Sequence, residues 1–88
     1  TTWNYKGKLI AWGQKNKCSV AFETISIEEI KHRKQYTVQV NIGGLPFDTA
    51  VNYSIKSAEQ LVAEKAFKRI EEEQGKEKTY EINKESDE

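Results

Sequence analysis

The stretch Tyr36-Thr37-Val38-Gln39-Val40-Asn41-Ile42-Gly43-Gly44 decides the fold. Successive side chains of an extended chain point to opposite sides, so Tyr36, Val38, Val40 and Ile42 share one face and Thr37, Gln39 and Asn41 the other. This predicts a strand with one buried and one wet face. Gly43-Gly44 is a turn signal. Beyond Pro46 and Phe47, residues Thr49 to Tyr53 are enough for a third, less regular strand. On the N-terminal side, Val20, Phe22 and Thr24 alternate with Ala21, Glu23 and Ile25, which predicts a strand over Ser19 to Ser26. Glu28-Glu29-Ile30-Lys31-His32-Arg33-Lys34 reads as a charged connector. Connections this short predict an antiparallel meander.

Both flanks switch to a helical period. Asn4 to Lys17 is predicted helical, with Asn4 as N-cap and Tyr5, Leu9 and Trp12 on one stripe. Gly13 weakens that helix, by up to about 1 kcal/mol relative to Ala. Its place there implies that something packs close to the backbone. Trp12 lies on the core stripe, whereas Trp3 has no assigned place. Ser54 caps a longer helix in which Ala58, Leu61, Val62, Ala66, Phe67 and Ile70 form the apolar face. Gln74-Gly75 is a plausible stop. The expected fold class is α+β, in a two-layer α-β-β-β-α arrangement: a three-stranded antiparallel sheet with both helices on one face. Leu9, Trp12, Phe22, Val38, Val40, Ala58, Val62, Ala66, Phe67 and Ile70 are the expected core.

With 88 residues the chain allows one domain. Its zero net charge conceals an asymmetry. Residues 1–70 carry 11 Lys/Arg against 6 Asp/Glu, and residues 71–88 carry 3 against 8. We therefore expect a basic domain over residues 1–75 and an acidic, disordered tail over residues 76–88, where Tyr80 and Ile82 are the sizeable apolar groups. That tail should lower nonspecific affinity for polyanions. One cysteine, Cys18, makes no internal disulfide, and one Cys with one His builds no zinc site, so no metal and no cofactor are expected. An oxidising compartment is not required, which makes an intracellular, cytoplasmic location the default. No apolar run approaches the roughly 20 residues of a membrane span. The first residue is not Met, so the chain reads as a piece of a longer protein. The carboxylates Glu23, Glu28, Glu29, Asp48, Glu59 and Glu64 show no spacing like that of a two-metal nuclease. No nucleophile–base pair and no phosphate-binding glycine loop appears, so this chain is expected to be non-catalytic.

At this point the residues resemble a family. Asn4-Tyr5-Lys6-Gly7-Lys8-Leu9-Ile10 to Gln14-Lys15 is similar to the first helix of double-stranded RNA-binding domains. The spacing from Phe22 to Tyr36 resembles their first two strands. His32 falls where they often place a loop histidine. Ser54-Ile55-Lys56-Ser57-Ala58-Glu59-Gln60, followed by Ala63, Ala66-Phe67 and Ile70, resembles their Ser-Lys-Lys-x-Ala helix start and alanine-rich packing face. The resemblance covers residues 4 to 70 and is nearest to the domain at the C-terminal end of bacterial ribonuclease III.

The resemblance implies a module that recognises duplex RNA by shape, indifferent to sequence, and holds substrate for a catalytic domain elsewhere in an RNA-processing parent. The implied contacts are Lys6 and Ile10 on the first helix, Lys31, His32, Arg33 and Lys34 in the loop, and Ser54 and Lys56 at the second helix start. The chain departs from the family at several of these positions. Ile10 and Ala11 stand where Gln and Glu are frequent, and Ile55 replaces the first lysine of the Lys-Lys pair. Where the family often has Gly-x-Gly-x-Gly, this chain has Asp48-Thr49-Ala50-Val51-Asn52, and Asp48 adds the wrong charge. RNA binding weaker than the family norm is therefore expected. The alternative reading keeps the fold but uses the altered face for a protein partner or for dimerisation.

Overall fold

The computed structural model describes the backbone of residues 4–86 and the side chains of residues 4–74. Trp3 and the side chains of Tyr80 and Ile82 lie outside the described residues. The element order is α1 (Tyr5–Lys15), β1 (Val20–Ile30), β2 (Arg33–Ile42), β3 (Leu45–Asn52) and α2 (Ile55–Ser86). The strands form one antiparallel sheet in the order β1-β2-β3.

Helix α1 begins as expected. The Asn4 side-chain oxygen accepts from the Gly7 N–H at 3.1 Å and so satisfies a donor that the helix leaves open. It ends two residues short of Lys17 in a Schellman turn. Lys17 takes the left-handed conformation (φ 58), and the Cys18 N–H returns to the Gly13 carbonyl at 2.8 Å. That return explains Gly13. A Cβ there would lie 2.6 Å from Val20 Cγ2 and 2.7 Å from the Cys18 carbonyl oxygen.

The stretch from Glu28 to Lys34 corrects the expected connector. Strand β1 continues through it to Ile30, and β2 starts at Arg33, so only Lys31 and His32 remain as the turn. Both have positive φ (53 and 65), the signature of a type I′ hairpin turn. A register shift between Thr24 and Ser26 inserts Ile25 as an extra residue, after which Ile27 pairs with Tyr36 and Ile30 with Arg33. The β-branched residues Ile25, Ile27 and Ile30 favour the extended chain, and Glu29 opposite Lys34 is a pair of opposite charges. Strand β3 likewise starts earlier than expected, at Leu45, and contains Pro46. An edge strand tolerates proline because one side of its ladder is unpaired.

Ser54 caps α2 as expected, its hydroxyl oxygen accepting from the Ser57 N–H at 3.1 Å. The helix does not stop at Gln74-Gly75: its backbone runs through Ser86. The expectation of disorder from Lys76 thus falls on helical backbone over residues 76–86. Glu, Gln and Lys are good helix formers, and one Gly costs only about 1 kcal/mol.

Leu9 of α1, Val38, Val40 and Ala50 of the sheet, and Ala58, Val62, Ala63, Ala66 and Ile70 of α2 form one buried cluster. One cluster joining both helices to Val38 and Val40 puts both helices on the same sheet face. The alanines of α2 let its backbone approach the sheet closely. Each fully buried Leu or Val contributes about 1.5–3 kcal/mol. Trp12, Phe22 and Phe67 pack around this cluster half-buried. Trp12 Nε1 is buried with no hydrogen-bond partner among the described residues.

Candidate nucleic-acid interface

The hairpin tip leaves Lys31 and His32 exposed to water, with Arg33 and Lys34 exposed just behind. These four residues are brought together, but not as a loose basic loop. Pairing with β3 ends at Tyr36 opposite Asn52, so the ribbon beyond it has no third strand. Arg33 is not a bare charge: its guanidinium carbon lies 3.7 Å from the Tyr53 ring centroid. Lys34 faces Glu29 across the ladder.

The second region is the start of α2. Only Tyr53 and Ser54 separate β3 from the helix. The Tyr53 N–H donates to Asn52 Oδ1 at 2.7 Å, which turns the chain into the helix. Ser54 accepts from Ser57 N–H and keeps its own hydroxyl proton to donate. Lys56 is exposed in the first turn, where the unpaired N–H groups and the helix dipole favour an anion. A groove of about 410 Å³ opens beside it, lined by Tyr5, Asn52, Lys56, Ser57, Gln60, Leu61 and Glu64.

The third region is α1. Lys6 is half-buried and engaged: its Nζ donates to Glu59 Oε1 at 2.8 Å and sits 5.3 Å from the Phe22 ring centroid. Its backbone N–H donates to Gln60 Oε1 at 3.3 Å. Ile10 is half-buried on the same helix, one turn beyond Lys6, and Ala11 beside it is exposed. Lys8 stands exposed, 5.1 Å from the Tyr5 ring centroid.

A chain of contacts therefore links the three regions: hairpin to Tyr53, Tyr53 to the Ser54 cap, and α2 through Glu59 and Gln60 to Lys6. Tyr53, Glu59 and Gln60 are the members of this contact chain that sequence reading did not single out as candidate site residues. Asp48 is a correction of another kind. It lies in strand β3, not in a phosphate-facing loop, and its side chain is 17% exposed. Lys65 Nζ and Arg69 Nη1 each approach its carboxylate at 3.6 Å. The same two side chains donate to the Thr49 and Phe47 carbonyls at 2.6 and 2.8 Å. The charge of Asp48 is thus balanced from the body of α2.

Among the described residues, no group of three or more His, Cys, Asp or Glu could hold a metal ion. Among the same residues, no helix is long and apolar enough to cross a membrane.

A family profile described as "Double-stranded RNA binding motif" matches residues 5–70. Ribonuclease 3 of Bacteroides thetaiotaomicron is 41% identical over 69 residues, covering 76% of this chain and 22% of that protein. Ribonuclease 3 of Bacteroides fragilis is 37% identical over 68 residues, covering 76% and 23%. Ribonuclease 3 of Chlorobaculum tepidum is 36% identical over 70 residues, covering 78% and 26%. The chain thus spans about a quarter of the length of these relatives.

Proposed function

From the premise that this chain belongs to the double-stranded RNA-binding motif family, we propose that it grips duplex RNA at three places and holds it for chemistry done by another part of an RNA-processing protein. Duplex RNA hides its bases in a deep, narrow major groove and displays 2′-hydroxyls in the shallow minor groove. A domain that reads this shape spans about 16 base pairs, touching two minor grooves and the phosphates between them. Lys31 and His32 at the hairpin tip enter one minor groove. The exposed side of α1 around Ile10 lies along the other. Ser54, Lys56 and the open N–H groups of α2 take the intervening phosphates.

The observation that carries this reading is the contact chain through Tyr53, Glu59 and Gln60, which ties the three regions into one body. The apolar Ile10 supplies no hydrogen bond to a 2′-hydroxyl, and Lys56 is alone where the family has two lysines, so affinity is modest. The likeness to ribonuclease 3 supports a nuclease parent whose catalytic domain lies outside these residues and acts inside the cell. The alternative, a protein-partner surface, is favoured by exposed apolar side chains on the sheet and helix, including Ile25, Ile30, Val51 and Ile55.

Titration of RNA and DNA duplexes of about 20 base pairs at low salt tests the reading, since that length covers the span of the fold. We expect preference for RNA and a steep salt dependence. Lys56→Ala should weaken all duplex sequences alike and reduce the salt slope by about 1. Equal affinity for the two duplexes would promote the protein-partner reading.

A further inference from the structure

We propose that Tyr53 is a positioning residue: its stack with Arg33 holds the Lys31–His32 tip at a fixed spacing from the start of α2, and this spacing selects RNA over DNA duplexes. The inference rests on the RNA-binding reading above and names what sets its specificity.

Three observations lead to it. The ribbon from Glu28 to Gln35 projects past the last pair with β3, Tyr36 opposite Asn52, and a two-stranded ribbon alone is marginally stable. Arg33, the residue that closes the turn, lies 3.7 Å from the Tyr53 ring centroid. Tyr53 itself is fixed at the other end, because it directly precedes the Ser54 cap and its N–H is held by Asn52. One stack therefore bridges the tip that meets a minor groove and the helix end that meets phosphates. The strand parity agrees. Arg33 lies on the β2 face opposite that of Tyr36, the outer face that Val51, paired with Thr37 just before Tyr53, also takes. Tyr53 is 48% exposed and outside the buried cluster, so its ring is not needed to fill the core.

The two duplexes differ in the dimension that such a brace would gauge. B-form DNA has a major groove about 12 Å wide, whereas that of A-form RNA is deep and narrow. The distance from a minor groove to the phosphates across the major groove therefore differs between them. A braced hairpin matches one spacing, and a loose hairpin accommodates both.

The test compares Tyr53→Ala, Tyr53→Phe and Arg33→Ala with the unaltered chain, together with the Tyr53→Ala/Arg33→Ala double variant. In the free protein, NMR relaxation of the Lys31 and His32 amides should show loss of order in Tyr53→Ala and native order in Tyr53→Phe. Tyr53→Ala should bind RNA about 3- to 10-fold more weakly, as expected for one cation–π stack. DNA affinity should change less than about twofold on the same scale, and the RNA salt slope should not change, because no cation is lost. Tyr53→Phe should restore RNA binding. Arg33→Ala should cost less in the Tyr53→Ala background than alone.

A folded Tyr53→Ala protein with an ordered tip and an unchanged RNA-to-DNA ratio overturns the inference. So does loss of selectivity in Tyr53→Phe, which would implicate the hydroxyl. If the unaltered chain shows no RNA preference, the RNA-binding reading fails and the selectivity role with it. The relaxation measurements distinguish that case, because they read the brace without RNA.

Discussion

Lys6 Nζ on α1 lies 2.8 Å from Glu59 Oε1 on α2, a pair 37% and 22% exposed. A lysine that sequence alone presents as a free cation is thus paired with a carboxylate in the second turn of α2, the helix whose start is proposed to take phosphates. Glu59→Gln keeps an acceptor for Lys6 and removes a negative charge near that helix start. We expect RNA affinity at low salt to rise about 2- to 5-fold and the salt slope to steepen by up to about 1. The stability change should stay below about 1 kcal/mol, because the pair is partly solvated. Fluorescence titration over a salt series checks both. Unchanged affinity and slope would place Glu59 and Lys6 away from the RNA.

Gly13 gives a prediction about the fold. Gly13→Ala should gain up to about 1 kcal/mol of helix propensity. The new Cβ meets Val20 Cγ2 at 2.6 Å and the Cys18 carbonyl oxygen at 2.7 Å. The Cys18 oxygen yields little, because the N–H of the same residue is bonded back to Gly13. Overpacking of this kind costs about 1–3 kcal/mol, so the net effect is destabilising by about 1 kcal/mol. Urea denaturation with an unchanged m-value measures it. A stabilised variant would show that the α1–β1 turn relaxes freely.

Much of this arrangement is legible in the sequence. The helical stripes through Leu9 and through Ala58, Val62, Ala66 and Ile70, and the alternation through Val38 and Val40, all lead to buried positions. The hairpin is not legible, for three reasons. Glu28 to Lys34 has the composition of a solvated loop, and Lys31-His32 lacks the Asn-Gly chemistry that marks a type I′ turn. The extra residue Ile25 also breaks the alternation that would have carried the strand onward. Contacts such as Arg33 with Tyr53 and Lys6 with Glu59 join residues far apart in the chain. They follow from sheet register and helix packing, which local patterns do not encode.

Restoring the family residues probes the two weakest points of the proposed interface. Ile10 is half-buried and Ile55 is 41% exposed, so both positions can reach a ligand. Ile10→Gln supplies a donor and an acceptor to the minor groove, and Ile55→Lys supplies a second phosphate charge beside Lys56. Each should strengthen RNA binding by roughly 0.5–1.5 kcal/mol per new contact. Ile55→Lys alone should also increase the salt slope by about 1. If the combined variant binds no better, this face is not the RNA face.

We propose that the C-terminal segment weakens polyanion binding. Residues 71–88 carry 8 Asp/Glu against 3 Lys/Arg. Removing residues 76–88 takes away part of that excess. Duplex affinity should then rise at low salt, and the gain should fade as the Debye length falls toward about 8 Å at physiological salt. No gain at low salt would show that the segment stays clear of the bound duplex.

The turn at Lys31 and His32 sets stability against binding. Both residues are held at positive φ, 53 and 65, which disfavours side chains other than Gly and Asn. The left-handed conformation costs about 1–2 kcal/mol per such residue. Lys31→Asn with His32→Gly installs the pair that a type I′ turn prefers. The double variant should unfold at higher urea and gain about 1 kcal/mol or more in stability, since each substitution relieves part of that strain. It should also bind RNA more weakly, because the tip loses a cation and an imidazole donor, and its salt slope should fall by about 1. Both side chains are exposed, so no core contact confounds the comparison. A variant that gains stability and keeps full RNA affinity would remove the hairpin tip from the interface. A variant that loses both would show that the turn depends on contacts made by Lys31 or His32 themselves.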